Sequence, residues 1–549
     1  MKKIHAGLLL GICFLSTMVT ILGTLQLNSV MKIADSFAYL QMAHHFSELL
    51  KDFGNGWFWL YSLPIAFFWH VFSNTMYAAF MVNIVCWNAF LWGNYLLGRR
   101  FLSNTYTLFF LALLACSPVF FHYRIHILSE NIYLVIFVFL IIFLLDFFER
   151  HSWKKSIGIG IFLAMLYYTR GEAFIYLGSV GLIFLFGIKR NWTFFQSRYF
   201  FITLVTFFVC IFPYMSYLHS FTEWLTNKGS SNLRQAELRG ISKMDDHGFE
   251  QAVELTADSK YLKAGFAGGL EYFPPESSIR LRKYILENPE TLLRMFTNQG
   301  KLIGKNLPQI ILGDGYKLFF VSGSRLFYHN PVFLFLLLIP IIFLGYGIWK
   351  MWQKNRDFLV IFGSFLVVAG FFFTIFFVLD RYFVIFGSLF LLCLVLGIQH
   401  IEKKKKLFSV LGILTIFGIY LLGLYSYFRT FQNEDAIYGV KQIAGIRLKE
   451  YDPNPNKKIL ERFPITTYYS GSWQRRLTPY TDSIENLLTY AHFHGVEYLV
   501  VDSIDFARYR PQLLFLLNES EKSYPLQKLV EISENGNRVI LYSILEEEK

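Results

Sequence analysis

Apolar residues in this chain come in long blocks separated by short charged turns. The blocks fall near 6–27, 77–97, 105–121, 131–148, 156–168, 173–188, 199–219, 331–349, 358–379, 383–399 and 407–427. A helix needs about 20 mostly apolar residues to cross about 30 Å of hydrocarbon. The pattern therefore predicts about eleven transmembrane helices. The pair within 156–188 is the shortest, interrupted by Arg170 and Glu172. The first block is too long for a cleaved signal peptide and lacks a clear small-residue cleavage site, so it reads as a retained anchor.

Between and beyond the blocks lie two large polar segments. The loop 220–330 carries amphipathic stretches in which Ile279, Leu281, Ile285 and Leu286 alternate with Arg280, Arg282 and Lys283. These read either as helices lying on the membrane surface or as ordinary soluble helices. The tail from 428 to 549 has α/β composition. A helix is predicted over 434–450, a strand over 457–463, a helix over 483–494 and a strand over 496–502. A helix near 511–518 and a hairpin of 526–532 with 537–544 follow, the hairpin turning at Glu534-Asn535-Gly536-Asn537. The predicted organisation is an N-terminal membrane module (1–219) with its first outer loop at 29–76, the outer loop domain 220–330, a second membrane module (331–427) and an extracytoplasmic α/β domain (428–549).

Composition agrees with a membrane protein. Of 549 residues, 54% are hydrophobic and only 16% charged, against about 25% charged in an average soluble domain. Disordered and disulfide-scaffold classes are excluded. All five Cys lie within or beside apolar blocks, where they act as small hydrophobes. The net charge of +12 would point to nucleic acid if the charges were scattered. They are not. With the N-terminus in the cytoplasm, the inner turns are 1–5, 98–104, 149–155, 189–198, 350–357 and 400–406, and together they hold 17 basic and 3 acidic residues. That is +14, leaving −2 for the rest of the chain. The basicity records orientation in the membrane, an inner or plasma membrane, and no nucleic-acid partner is implied. An odd number of crossings puts the tail on the outer face.

Candidate chemistry gathers at the outer ends of the blocks. Asp35 stands about eight residues beyond the first block; it can be a helix N-cap, a general base, or both. His122, Arg124, His126 and Glu130 surround the outer turn between the third and fourth blocks. Arg170 with Glu172, and Asp380 with Arg381, mark two further outer turns. These can be neutralised structural pairs, but ionisable groups at membrane depth are costly and are often functional. Carboxylates with several Arg suit transfer from a phosphate leaving group: Arg binds the phosphate and a carboxylate takes the acceptor's proton. The carboxylates could instead hold a divalent metal, with His44, His45, His122 and His126 as conceivable ligands, though no HExxH or CxxC spacing occurs. No P-loop or Rossmann fingerprint is present, so nucleotide-driven chemistry is not expected.

Several short motifs, taken in order, resemble the GT-C class of membrane glycosyltransferases, in particular the bacterial family 39 related to protein O-mannosyltransferases and aminoarabinose transferases. They are Asp35-Ser-Phe-Ala-Tyr-Leu, Leu63-Pro64-Ile65, Leu97-Gly98-Arg99-Arg100, Ser117-Pro118, Leu128-Ser129-Glu130, Tyr168-Thr169-Arg170-Gly171-Glu172-Ala173, Tyr468-Tyr469-Ser470-Gly471, and the strand Val496 to Asp502 before Arg510-Pro511. The resemblance implies a GT-C fold, a polyprenyl-phosphate sugar donor and inversion at the anomeric carbon. It also implies Asp35 as the catalytic base and Glu130 as the second catalytic acidic residue. Arg170 and Arg381, with Arg124 behind them, would bind the donor phosphate, and Tyr39, Glu172, Asp380 and Tyr382 would be substrate contacts. The acceptor would be an envelope lipid, glycan or protein. A single Pro64 stands where many relatives carry a Pro pair, and any metal site there stays open. The rivals are a lipid-sugar transporter, which predicts charges inside the blocks and inverted repeats, and a glycan polymerase or ligase, which does not predict Asp35 or an α/β tail.

Overall fold

A computed structural model describes residues 2–25, 34–46, 59–188, 194–217, 331–375, 380–402, 405–476, 478, 484–503, 505–509, 511–518 and 524–545. The expected outer loop domain, with the amphipathic stretches near 279–296, lies outside these residues. Each apolar block falls on helix. In chain order these are α1 (Lys2–Leu25), α2 (Ala34–His44), α3 (Ser62–Phe72), α4 (Thr75–Phe101), α5 (Asn104–Cys116), α6 (Pro118–Ile125), α7 (Glu130–Glu149), α8 (Trp153–Thr169), α9 (Tyr176–Ile188), α10 (Phe194–Tyr217), α11 (Pro331–Lys354), α12 (Arg356–Ile375), α13 (Asp380–Glu402) and α14 (Lys406–Tyr451).

Among the described residues, five stretches are long and apolar enough to cross a membrane: His5–Thr24, Thr75–Phe101, Glu130–Glu149, Phe383–Glu402 and Lys406–Tyr425. The bent pair α5–α6 makes a sixth. The blocks at α8, α9, α10, α11 and α12 are helical but do not meet that measure, so five or six crossings are supported by length and composition where eleven were expected. The protein is a multi-pass membrane protein. Its outward surface carries Phe14, Phe67, Phe212 and Leu407, each about two-thirds or more exposed, as a bilayer permits and water does not.

The third block is not straight. It breaks at Ser117, and α5 and α6 meet at 59°. Pro118 has no N–H to continue the ladder and holds Ser117 extended (ψ 123°). At the centre of the bundle α13 is buried almost throughout, from Phe383 to Ile398. It meets α11 backbone to backbone, for a Cβ on Gly347 would strike the Cys393 carbonyl and one on Gly397 the Phe343 carbonyl. Close approach at small residues is how helices gain contact where lipid removes the hydrophobic driving force.

α14 carries the chain out of the bundle. The sequence boundary near 428 is not a structural break, because this helix runs unbroken over 46 residues to Tyr451 and ends just before Pro453. Beyond it come β1 (Lys458–Leu460), α15 (Ile465–Tyr469), β2 (Gln474–Arg476), α16 (Ile484–Phe493), β3 (Tyr498–Asp502), α17 (Asp505–Tyr509), a 3-10 turn (Pro511–Leu517), β4 (Leu526–Glu534) and β5 (Asn537–Ile544). They form one sheet in the order β2-β1-β3-β5-β4, parallel at β1 and antiparallel at β5. Alternation along the strands feeds two faces. Leu460, Leu499, Val501, Ile540 and Tyr542 pack under α16 and the 3-10 turn. Ile459, Tyr498, Val500 and Leu541 pack against Val440, Ala444 and Leu448 of α14. The hairpin turns at Asn535 and Gly536, both at positive φ (51° and 79°), as a two-residue loop of this kind requires.

A buried charge cluster ties the membrane-derived helix to this sheet. Lys441 of α14 contacts Asp502 at 2.8 Å and also Asp505, all nearly inaccessible. Beside it the Glu461 carboxylate accepts the Thr466 N–H (3.2 Å) and the Thr467 N–H (2.7 Å). Burial, with Asp502 adding, pushes the Asp505 carboxyl well above the usual carboxylate range. Lys441→Met should cost about 3–5 kcal/mol, since it strands buried carboxylates; an unchanged unfolding temperature of the purified chain would contradict this. The pH sign also follows. A carboxyl raised in the folded state holds its proton longer there than when unfolded, so its contribution to stability declines as pH climbs from about 4 toward neutrality. Asp505→Asn should remove that slope, and an unaltered stability–pH curve would speak against it.

Candidate active site

Asp35 lies in the first turn of α2, where a helix N-terminus favours negative charge. One turn on, Tyr39 is buried, donates to Ser129 Oγ at 2.8 Å, and packs edge-on against Tyr61 at 5.1 Å. Ser62 Oγ donates to the Tyr39 carbonyl (3.1 Å), tying α2 to the head of α3. The Tyr61 hydroxyl donates to Asn83 Oδ1 (2.6 Å), and Asn83 Nδ2 to the His126 carbonyl (2.8 Å). Asn131 Nδ2 reaches the Tyr123, His126 and Leu128 carbonyls at 2.9–3.1 Å. These amides satisfy the backbone freed where α6 ends and α7 begins, which would otherwise be stranded at membrane depth.

Glu130 opens α7 and is buried to 1% exposure. It is ion-paired with Arg170, which ends α8 in extended backbone (φ −158°, ψ 124°) and lies 6.0 Å over the Tyr133 ring. The Leu60 N–H donates to the Tyr168 carbonyl (3.2 Å), and Trp59 packs on Tyr168, so the residues leading into α3 are fastened to the same turn. Asp35, Glu130 and Arg170 all act on the Tyr39 hydroxyl, which burial and then the two carboxylates keep protonated. The structure thus brings together four residues singled out in the sequence: Asp35, Tyr39, Glu130 and Arg170.

Others stand apart. Arg124 was expected behind the phosphate site, but it is buried to 1% and committed to helix packing. Its Nη1 donates to Ser16 Oγ (2.8 Å) and the Ala115 carbonyl (3.1 Å), and its guanidinium lies 4.9 Å over Trp87 and 4.7 Å over Phe121. That fastens α1 to α4 and α6, a use for which a buried guanidinium is well suited. The side chains of Glu172, Asp380, Arg381 and Tyr382 lie outside the described residues. His122 and His126 meet edge-on at 4.4 Å, and His44 lies against Trp69 and Trp473 at 4.8 Å each. Among the described residues no three His, Cys, Asp or Glu converge as metal ligands. Arg170 on the Glu130 carboxylate also opposes a cation there, so this pair does not fit a divalent ion.

The C-terminal domain reaches into this region through β2 and the residues before it, which the motif reading missed. Trp473 stacks on Phe37 (5.5 Å) and on His44 (4.8 Å), and its carbonyl accepts Gln41 Nε2 at 2.9 Å. Two residues on, Arg475 is half-buried. Its Nη2 donates to the Arg462 carbonyl (2.6 Å), and its Nε approaches the Glu461 carbonyl (3.4 Å). Burial lowers Arg475 to about 10, resisted by Glu461 and by Asp35 across the domain boundary. It stays cationic at neutral pH. The only sequence sign was the basic pair Arg475-Arg476 just beyond the Tyr468-Tyr469-Ser470-Gly471 motif.

Apolar helices with a buried acid–base cluster at their ends, followed by one α/β domain, give a fold similar to that of GT-C membrane glycosyltransferases. The comparisons agree. Residues 59–217, under a third of the chain, are similar to the family described as Dolichyl-phosphate-mannose-protein mannosyltransferase, which bears out the resemblance drawn from the motifs. Over the whole fold the chain is similar to the oligosaccharyltransferase AglB of Archaeoglobus fulgidus, solved with an inhibitory peptide and a dolichol-phosphate. The identity is 12% and the TM-score 0.51, covering 100% of this chain and 75% of that one. A second structure of that enzyme, tethered to an acceptor peptide, gives 12% identity and a TM-score of 0.52, covering 99% and 74%. ArnT of Cupriavidus metallidurans, bound to undecaprenyl phosphate, gives 12% and 0.38, covering 89% and 87%, too distant a superposition to carry argument. No curated protein sequence matches.

The Glu130–Arg170 pair predicts a stability test. Arg170→Met should cost about 3–5 kcal/mol by leaving Glu130 charged and buried. Adding Glu130→Gln should recover most of the loss, read from unfolding temperatures of the detergent-purified chain. No recovery in the double variant would show that the two residues are not coupled.

Proposed function

We propose that this chain is an integral-membrane glycosyltransferase that moves a sugar from a polyprenyl-phosphate-linked donor to an acceptor hydroxyl on the extracytoplasmic face, inverting the anomeric centre. The observation that carries this reading is the gathering of Asp35, Tyr39, Glu130 and Arg170 at the mouth of an apolar helix bundle. AglB, which shares the fold, was solved with an inhibitory peptide and a dolichol-phosphate, which supports a lipid-linked donor for this chain too.

In this reading the donor enters from the bilayer, its prenyl chain against exposed apolar helix faces, where burial alone suffices to hold it. Asp35 takes the proton of the acceptor hydroxyl as its oxygen bonds to the anomeric carbon. The bond from that carbon to the phosphate oxygen breaks, and polyprenyl phosphate leaves with the electron pair. A single displacement inverts the centre. Glu130 holds Arg170 in one orientation, and Arg170, with Arg381, provides positive charge for the leaving phosphate. Tyr39, pinned to Ser129, fixes the first turn of α2 and with it Asp35. Glu172, Asp380 and Tyr382 are substrate contacts on the same side. The N-terminus is cytoplasmic, as the basic turns require.

Asp35→Asn should lower transfer at least about 10²-fold, the usual worth of a general base, with little change in unfolding temperature. Full activity of the purified variant with a lipid-linked sugar would remove Asp35 from the mechanism. Arg381→Ala should weaken binding of the lipid phosphate, and an unchanged affinity would make Arg381 structural.

A further inference from the structure

Among the described residues of the membrane domain, acidic groups outnumber basic ones around Tyr39. Asp35 and Glu130 are acidic and Arg170 is basic, so among the described residues this cluster keeps one net negative charge. A phosphate arriving there adds more. Beside Arg170, and Arg381 in the reading above, such a phosphate would take a further cation, and the structure holds one in place. Arg475 comes from the other domain. Its chain segment is docked on α2 by the Trp473 rings and by the Gln41 bond to the Trp473 carbonyl, and its electrostatic neighbours include Asp35.

The guanidinium is also oriented. One edge is held by the Arg462 and Glu461 carbonyls. Of its five N–H donors, those on Nη1 have no partner among the described residues. Glu461, the nearest acid by its effect on Arg475, spends its carboxylate on the Thr466 and Thr467 N–H groups. Two carbonyls cannot neutralise a guanidinium, and such a fork, held at one edge, suits a phosphate at the other.

Resting on the lipid-phosphate reading above, we propose that Arg475 is a ligand of the donor's phosphate, so that the active site is shared between the membrane bundle and the C-terminal domain. The domain is then more than an acceptor module or cover, since it completes the charge of the subsite. Its docking through Trp473 sets how that cation stands relative to Asp35.

The experiment compares binding of undecaprenyl phosphate and of undecaprenol, which lacks the phosphate, to the full-length chain in nanodiscs. Arg475→Gln should weaken undecaprenyl phosphate binding by about tenfold or more, the worth of a charged hydrogen bond, and leave undecaprenol unchanged. Arg475→Lys keeps the charge and can still reach a carbonyl, so it should recover most of the affinity. Wild-type affinity for the phosphate in Arg475→Gln would overturn the proposal. So would an equal loss for both lipids, which marks a structural role. If the wild-type chain fails to prefer the phosphate over undecaprenol, the lipid-phosphate reading of the whole site falls, and this proposal with it.

Discussion

A carboxylate and a guanidinium, Glu130 and Arg170, are buried together where two helices of an apolar bundle end. Neither could stay there alone. An isolated ion at that depth would have to neutralise or find water, and the pairing makes the burial tolerable. Much of the site depends on this contact. It fixes the end of α8 against the start of α7, and the same turn anchors the loop leading into α3 through Leu60 and Trp59. The loop in turn presents Tyr61 and Ser62 to Tyr39 and so holds α2 with Asp35 at its head. In the proposed mechanism, a fixed base beside fixed cations requires little rearrangement as charge moves during reaction.

The membrane part was largely legible in the sequence for a simple reason. In lipid a backbone must satisfy itself, so a long apolar block has almost no alternative to helix. Each of the blocks duly falls on one. What block length hides is where a helix breaks and how much of it crosses. Pro118 splits the third block by a local steric effect, and the apolar run of α3, too short to span, reads as part of a loop. The continuity of α14 was hidden for the opposite reason. Composition changes near 428, but a change of solvent does not break intrahelical hydrogen bonds, and no Pro interrupts the helix before Pro453. In the tail, strand alternation and the Asn535-Gly536 turn are local signals, whereas the three-residue strand β2 exists only through its pairing with β1.

The candidate site was legible by residue type and by position at block ends, not by contact. Ionisable groups at block ends are conspicuous because they are costly, which is why Asp35, Glu130 and Arg170 stand out. The same reasoning selected Arg124, and only packing reveals that its charge is spent on Ser16, Ala115 and two aromatic faces. Asn83 and Asn131 support the site through backbone carbonyls and Tyr61 through the Asn83 side chain, and nothing in their spacing announces it. Arg475 is farthest from legible: some 440 residues separate it from Asp35, and their meeting depends on how the C-terminal domain docks on α2.

The central claim is that one outer-face site transfers a sugar from a polyprenyl phosphate. The most direct measurement is comparative mass spectrometry of envelope lipids, glycans and proteins from cells with and without this chain. The account predicts that one acceptor loses a sugar's mass while a polyprenyl-phosphate-linked sugar accumulates, both reversed by restoring the wild-type gene. Unchanged acceptors with no accumulated lipid-linked sugar would contradict it.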